Sequence, residues 1–302
     1  MSIIQMFCCP TPYLAPPFGV FGGGNDSGSP YSVYTDKYTY SGDTVAPGAV
    51  LGYGRSWLAA TGNSTVGIFG GGSVPFTGTA NVINYTDKYT YIANTVSIGT
   101  VLGSARTSFA AAGTSTVGIF EGGGADKYTY SGDVVSAGTS LTVGRTALGA
   151  AGNSIVGIFS GGLTSGTYYS AYTDKYTYLG DTVAAGTVLG LARCDLAATG
   201  TSTIGIFGGG DYLDTNGYTA YTDKYTYSGD VVTAGTVLGL ARWGLAATGN
   251  STVGIFGGGY GSSSSSTYTD KYTYSGDTVA AGTVLGDARY GLAACSSTAN
   301  GL

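Results

Sequence analysis

The residues able to do chemistry in this 302-residue chain are few and regularly placed. It contains no histidine. That removes imidazole metal sites and serine–histidine nucleophile pairs together. Its twelve Lys and Arg divide into six of each. Arg55, Arg106, Arg145, Arg193, Arg242 and Arg289 each precede a run of small residues. Guanidinium forks suit oxyanions, so two readings of these arginines stand side by side. They are clamps paired with aspartates, or they form an anion site for a carboxylate, a sulfate or an acidic peptide. Asp36, Asp87, Asp126, Asp174, Asp223 and Asp270 each sit beside a lysine, and Asp43, Asp133, Asp181, Asp230 and Asp277 close Ser-Gly-Asp-like turns. A carboxylate repeated at one place in every unit reads as structural. Asp26, Asp195, Asp211, Asp214, Asp287 and Glu121 break the pattern and form no motif. Paired-carboxylate glycoside hydrolysis stays formally open, but an enzyme is not expected. Cys8, Cys9, Cys194 and Cys295 have neither metal-ligand nor disulfide-framework spacing. The triple glycines lack the Lys-Ser/Thr and the helix of a phosphate cradle. No metal and no cofactor are expected.

The elements that position these residues recur. The string DKYTY, or its lysine, returns at Lys37, Lys88, Lys127, Lys175, Lys224 and Lys271, a spacing of 39 to 51 residues. Periods of this length mark propellers and solenoids. Residues 221–259 are the cleanest copy. DKYTY alternates aromatic and polar residues with the period of a half-buried strand. Ser-Gly-Asp then supplies a tight turn, and residues 231–239 return as a β-branched strand. GLAATG and TVGIFGGG form a last hairpin, whose Gly249-Asn250 pair suits the left-handed backbone that short hairpin turns demand. Four short strands per unit and no helical periodicity predict an all-β chain.

GIFGGG, followed by a variable loop, a Tyr-bearing strand, a return strand and an Arg before a small-residue strand, resembles the kelch repeat. The resemblance spans residues 18–302. Val45, Val96 and Val183 stand where kelch blades carry tryptophan. The near-identical DKYTYSGDTVAAGTVLGLAR copies look most like kelch-type repeats of bacteriophage structural proteins. The resemblance implies a β-propeller of four-stranded antiparallel blades. Residues 18–24 are a glycine-ended strand without a partner, and the sixth copy stops at residues 290–295 without its own glycine-ended strand. Together these ends complete one unit and leave no exposed edge. The expectation is a six-bladed propeller over 18–302 closed by pairing its two ends, with residues 1–17 as a separate extended arm.

Charged residues are only 10% of the chain and the net charge is −5, which argues against a nucleic-acid partner. The apolar run near the start is too short to span a bilayer. Between each glycine run and the next lysine the spacers diverge and are rich in Tyr, Ser, Gly and Thr. In the third copy the spacer is nearly absent. Because chain direction reverses at every turn of an antiparallel blade, the Arg connections and these loops should share a face. Tyr168, Tyr169, Tyr212 and Tyr218 are its candidate binding residues, alongside the six arginines. Such loops combine flat aromatic area with adaptable hydrogen bonding. The expected role is a non-enzymatic structural and binding protein of a virion. The arm would tether it to other virion proteins, and the loop face would contact a host-surface glycan or protein. The alternatives are a lectin-like adhesin, extracellular or on a cell surface, and less favourably a glycan-active enzyme.

Overall fold

The computed structural model describes residues 17–26, 31–76, 79–165, 168–212 and 217–298. The arm lies outside them except for Pro17, as do Cys8, Cys9, Asp214 and parts of the loops. The described residues contain strands and turns but no helix, and no helix is long and apolar enough to cross a membrane.

Six four-stranded antiparallel sheets carry the frame, each with an inner, a second, a third and an outer strand. In sheet two these are Ala59–Gly62, Val66–Gly70, Thr86–Thr90 and Thr95–Gly99. The inner strands of sheets three to six are Ala110–Gly113, Gly149–Gly152, Ala197–Gly200 and Ala246–Gly249. Sheet one is assembled from both ends of the chain. Its inner strand is Ala293–Ser296, and it pairs antiparallel with Phe18–Gly22 through Val20 opposite Cys295 and Phe21 opposite Ala294. Every inner strand packs beside two others, and the succession passes from sheet six through sheet one to sheet two. The architecture is that of a β-propeller.

Burial follows the sequence pattern. In each TDKYT strand, and in its ADKYT counterpart, the first tyrosine is buried, while the outer strand beyond it is largely exposed. One apolar cluster fills each junction between successive sheets. Val20, Leu58, Phe69 and Tyr89 sit between sheets one and two, and Phe21, Tyr38, Ile255 and Leu285 sit between six and one. Phe69 and Tyr89 are completely buried, and a fully buried side chain of this size stabilises by about 1.5–3 kcal/mol.

The two kinds of turn are built differently. Asp43, Asn94, Asp133, Asp181, Asp230 and Asp277 hold φ between 47° and 56°, a region that Asn and Asp tolerate better than most residues. The Gly-Asn hairpin departs from the expected left-handed form, because neither residue has positive φ. The Asn side chain organises it instead. Asn63 Oδ1 accepts from the Thr65 and Val66 N–H groups at 2.8 and 3.0 Å, an Asx turn. Gly62 is needed for space, since a Cβ there would lie 2.4 Å from the Val66 carbonyl oxygen.

Candidate binding face

The six arginines come first because the sequence placed them at the centre of any site. All are buried, five of them essentially completely. Each guanidinium meets the aspartate that precedes the repeat lysine: Arg55 with Asp87 at 2.7 Å, Arg145 with Asp174 at 2.8 Å, Arg193 with Asp223 at 2.7 Å and Arg242 with Asp270 at 2.8 Å. Arg106 with Asp126 and Arg289 with Asp36 complete the set. The other carboxylate oxygen accepts from a backbone N–H in the same connection, that of Gly52 for Asp87 and of Gly286 for Asp36. Each pair fastens the chain arriving from one sheet onto the third strand of the next. Burial draws the guanidinium pKa of Arg55, Arg193 and Arg242 down, and the facing aspartates oppose it. No guanidinium is left open to an external anion. The anion-site reading is corrected for this physical reason, and the clamp accounts for the geometry.

The lysines are placed elsewhere. Lys88, Lys175, Lys224 and Lys271 reach the turn aspartates Asp133, Asp230, Asp277 and Asp43 of the following sheet at 3.2–3.8 Å. Lys37 lies over the Phe18 ring, where the turn that would supply its aspartate carries Asn94. Lys127 lines a groove with Ser115 and Leu179. These contacts lie at the turns away from the arginine connections.

The clamps fix the residues that follow them. Trp57, Ser108, Ala147, Asp195, Gly244 and Gly291 stand two residues beyond the six arginines, with φ between 52° and 62°. Each donates its N–H to the carbonyl of the one before. The run goes from Ser108 to Trp57, Ala147 to Ser108, Asp195 to Ala147, Gly244 to Asp195, Gly291 to Gly244 and Trp57 back to Gly291, at 2.6–2.9 Å. This circuit lines a small pocket of about 60 Å³ on the axis, together with the residues that follow it in the chain, five leucines and Phe109. Around it, the residue after five of the six arginines bridges the start of a variable loop: Ser56 to Ser73, Thr146 to Leu163, Cys194 to Asp211, Trp243 to Tyr260 and Tyr290 to Asn25. Loops and arginine connections therefore share one face.

That face is asymmetric. Sheets six, one and two contribute a half-buried aromatic cluster. Trp57 stacks on Trp243 with centroids 5.7 Å apart and planes 13° apart, and Tyr290 stands edge-on to both. Tyr260 packs against Trp243 and Tyr290. A Cβ at Gly244 or Gly291 would lie 3.2 or 3.0 Å from the Trp57 indole, so only glycine leaves it this room. Sheets four and five contribute polar groups. The Tyr169 hydroxyl donates to Asp211 Oδ2 at 2.8 Å, and the Cys194 thiol donates to Asp195 at 3.5 Å. Burial, followed by the charge of Asp211, raises the Asp195 carboxyl to about 7, although the thiol bond lowers it. Sheet three contributes almost nothing. Added Cβ atoms at Gly123 and Gly124 would meet no atom within 4 Å, whereas those at Gly72 and Gly162 would press on carbonyl oxygens. The wall of loops is open there.

Of the four candidate tyrosines, Tyr169 belongs to this polar side, Tyr218 bridges Asp211, Tyr168 is 69% exposed on the loop rim, and Tyr212 donates its N–H to the Gly217 carbonyl. The aromatic cluster and the Asp195–Asp211 neighbourhood were missed from sequence. Their signal was the column just after each arginine, the most variable within a constant frame. Cys194 and Cys295 are free and buried, and burial pushes the Cys295 thiol up to about 12. Among the described residues no group of His, Cys, Asp or Glu could hold a metal ion.

No family model matches the chain, and no curated protein matches it. Its fold is similar to a solved structure. The protein YjhT superposes with a TM-score of 0.72 at 11% identity, covering 89% of this chain and 99% of that one. A likeness at this identity speaks to fold alone.

Proposed function

We propose that the protein is a non-enzymatic structural and binding component of a virion, a six-bladed kelch-like propeller closed by its two ends. The observation that carries the binding role is the contrast between frame and face. Six repeated clamps and six repeated junctions hold a face whose loops and axial residues differ from sheet to sheet. The pairing of residues 18–22 with 293–296 supports closure, as do the inter-sheet cluster joining sheet six to sheet one and the hydrogen-bond circuit around the axis. In this reading the loop face contacts a host-surface glycan or protein, and residues 1–17 tether the chain to other virion proteins.

The test replaces Tyr168, Tyr169, Tyr212 and Tyr218 with serine. Adsorption to host cells is expected to fall below detection, because aromatic anchors at binding hot spots cost about 2 kcal/mol or more each on truncation. The denaturation midpoint should stay near that of the parent. Removing residues 1–17 should leave a folded propeller that no longer incorporates into particles. Loop variants that adsorb like the parent would leave a purely architectural role.

A further inference from the structure

The junction between sheets three and four departs from its equivalents on the face that carries the hairpins and the aspartate turns. A groove of about 350 Å³ opens there, lined by Ser115, Val117 and Lys127 of sheet three and by Ser154 and Leu179 of sheet four. Three departures from the repeat meet in it. The first is in the hairpin. Asn63 Nδ2 donates to the Ser115 carbonyl of the next sheet at 3.1 Å, and Asn153 Nδ2 to that of Ser202 at 3.0 Å. Sheet three carries Thr114 instead. Its hydroxyl accepts from the Thr116 and Val117 N–H groups of its own hairpin at 3.1 and 3.2 Å. The second is the cation. Among the described residues Lys127 is the repeat lysine with neither an ion pair nor a ring contact. Asp181 stands where the paired lysines find their carboxylate, but it is bonded to Tyr176 and Thr139 and forms no ion pair with Lys127. The third is apolar. Ile155 and Leu179 are 63% and 92% exposed, where sheet six carries Thr252 and Ser275. The Ile155 carbonyl accepts from the Tyr178 N–H at 3.1 Å, which sets Ile155 beside Leu179.

Elsewhere these departures occur singly. Between sheets five and six, the Thr201 hydroxyl likewise accepts within its own hairpin. There, however, Lys224 is paired with Asp277 and the exposed positions are polar. Ile92 of sheet two is 88% exposed, but Lys37 beside that junction lies over the Phe18 ring. Only between sheets three and four does an unpaired cation stand next to exposed aliphatic side chains in an open groove. A cation beside apolar surface complements a carboxylate beside an apolar side chain. The exposed side chains are aliphatic, and Tyr178, the ring at the groove, is buried. No open aromatic face is offered to a sugar. We propose that this groove docks a segment of another protein that presents an Asp or Glu next to a leucine, isoleucine or phenylalanine. Lys127 pairs with the carboxylate, Ser115 and Ser154 donate to it, and Ile155 and Leu179 cover the apolar side chain. The groove lies away from the variable loops, so it stands or falls independently of the loop-face reading.

The experiment selects a displayed random heptapeptide library on the full chain, with counter-selection on the Lys127→Gln, Leu179→Ser double variant. Enriched peptides are then measured one by one by fluorescence polarisation. They should carry Asp or Glu adjacent to Leu, Ile or Phe. Lys127→Gln should weaken them about tenfold, the scale of one charge-assisted bond, and Lys127→Arg should restore most of the loss. Leu179→Ser with Ile155→Thr, which installs the side chains that sheet six already carries, should weaken them by a similar factor. All variants should keep the parent's denaturation midpoint. The proposal is overturned if no peptide is enriched, if the enriched peptides lack a carboxylate, or if they bind the Lys127→Gln variant like the parent. It is also overturned if hexagalacturonate binds in a Lys127-dependent manner more tightly than any peptide, which would make the site one for acidic saccharides. Loop tyrosine variants that lose cell adsorption but bind the peptides normally would leave both faces standing as separate sites.

Discussion

Two buried tyrosine hydroxyls should respond to a threonine placed beside them. Each sheet inserts the second tyrosine of its repeat into the junction with the sheet before. In three junctions its hydroxyl meets a threonine from the neighbouring inner strand: Tyr130 with Thr61 at 3.2 Å, Tyr274 with Thr199 at 3.1 Å and Tyr40 with Thr248 at 2.9 Å. Tyr178 and Tyr227 occupy the same place, but their partners' positions hold Ala112 and Ala151, and both hydroxyls are buried without a hydrogen bond. An unpaired buried hydroxyl costs about 1–3 kcal/mol, and a hydrogen bond made within the fold returns a net ~1 kcal/mol. Space is already provided. The Thr61 methyl lies over Gly118, and Gly157 and Gly205 offer the same surface to Ala112 and Ala151. Ala112→Thr and Ala151→Thr are each expected to stabilise by about 1 kcal/mol and, since they serve different tyrosines, to add nearly independently. Urea denaturation with linear extrapolation measures this. Tyr178→Phe supplies the control. It should be neutral or stabilising by itself and should erase the gain from Ala112→Thr, whereas Tyr130→Phe should destabilise. A gain that survives in the Tyr178→Phe background, or a loss from Ala112→Thr in the parent, would refute the hydroxyl accounting.

The buried clamps and the turn carboxylates give two further expectations. Arg193→Ala or Arg242→Ala leaves an aspartate buried without its cation and should cost about 3–5 kcal/mol, equally in the presence and absence of sulfate; a loss seen only with the anion present would restore the anion-site reading. At Asp43, Asp230 and Asp277 burial pushes the carboxyl up, but bonds from tyrosine, threonine and lysine outweigh it and hold the pKa below the usual value. Their contribution is present above the unfolded-state pKa of about 4 and is lost as pH falls through the lower folded value. The urea midpoint should therefore drop on the acid side of about pH 4, and Asp277→Asn should flatten that limb; an unchanged acid limb would show that these turns do not set it.

The frame was legible because its signals repeat. Alternating tyrosines in DKYTY specified a half-buried strand six times over, and the constant co-occurrence of a repeat arginine with a repeat aspartate offered their pairing as one of two readings. The incomplete units at 18–24 and 290–295 anticipated the pairing of Phe18–Gly22 with Ala293–Ser296. The Gly-Asn hairpin was misread because residue type alone does not separate a glycine needed for positive φ from one needed for close approach. At Gly62 the neighbouring Val66 carbonyl decides the matter, and that contact belongs to the folded hairpin.

The site was harder to see for a related reason. Trp57, Trp243 and Tyr290 are far apart in sequence, as are Cys194 and Asp211, and no local pattern joins them. They meet because each follows a clamped arginine or opens the loop that bridges it, so the repeat itself carries these positions to the axis. A fixed guanidinium–carboxylate pair anchors the connection, and the hydrogen-bond circuit fixes the backbone two residues later. With the backbone held by groups common to the sheets, the side chains at those positions are released from structural duty. Glycine at 244 and 291 makes room for the Trp57 indole, and position 195 introduces a carboxyl group. The invariance of the frame and the variety of its axial face are thus two consequences of one device.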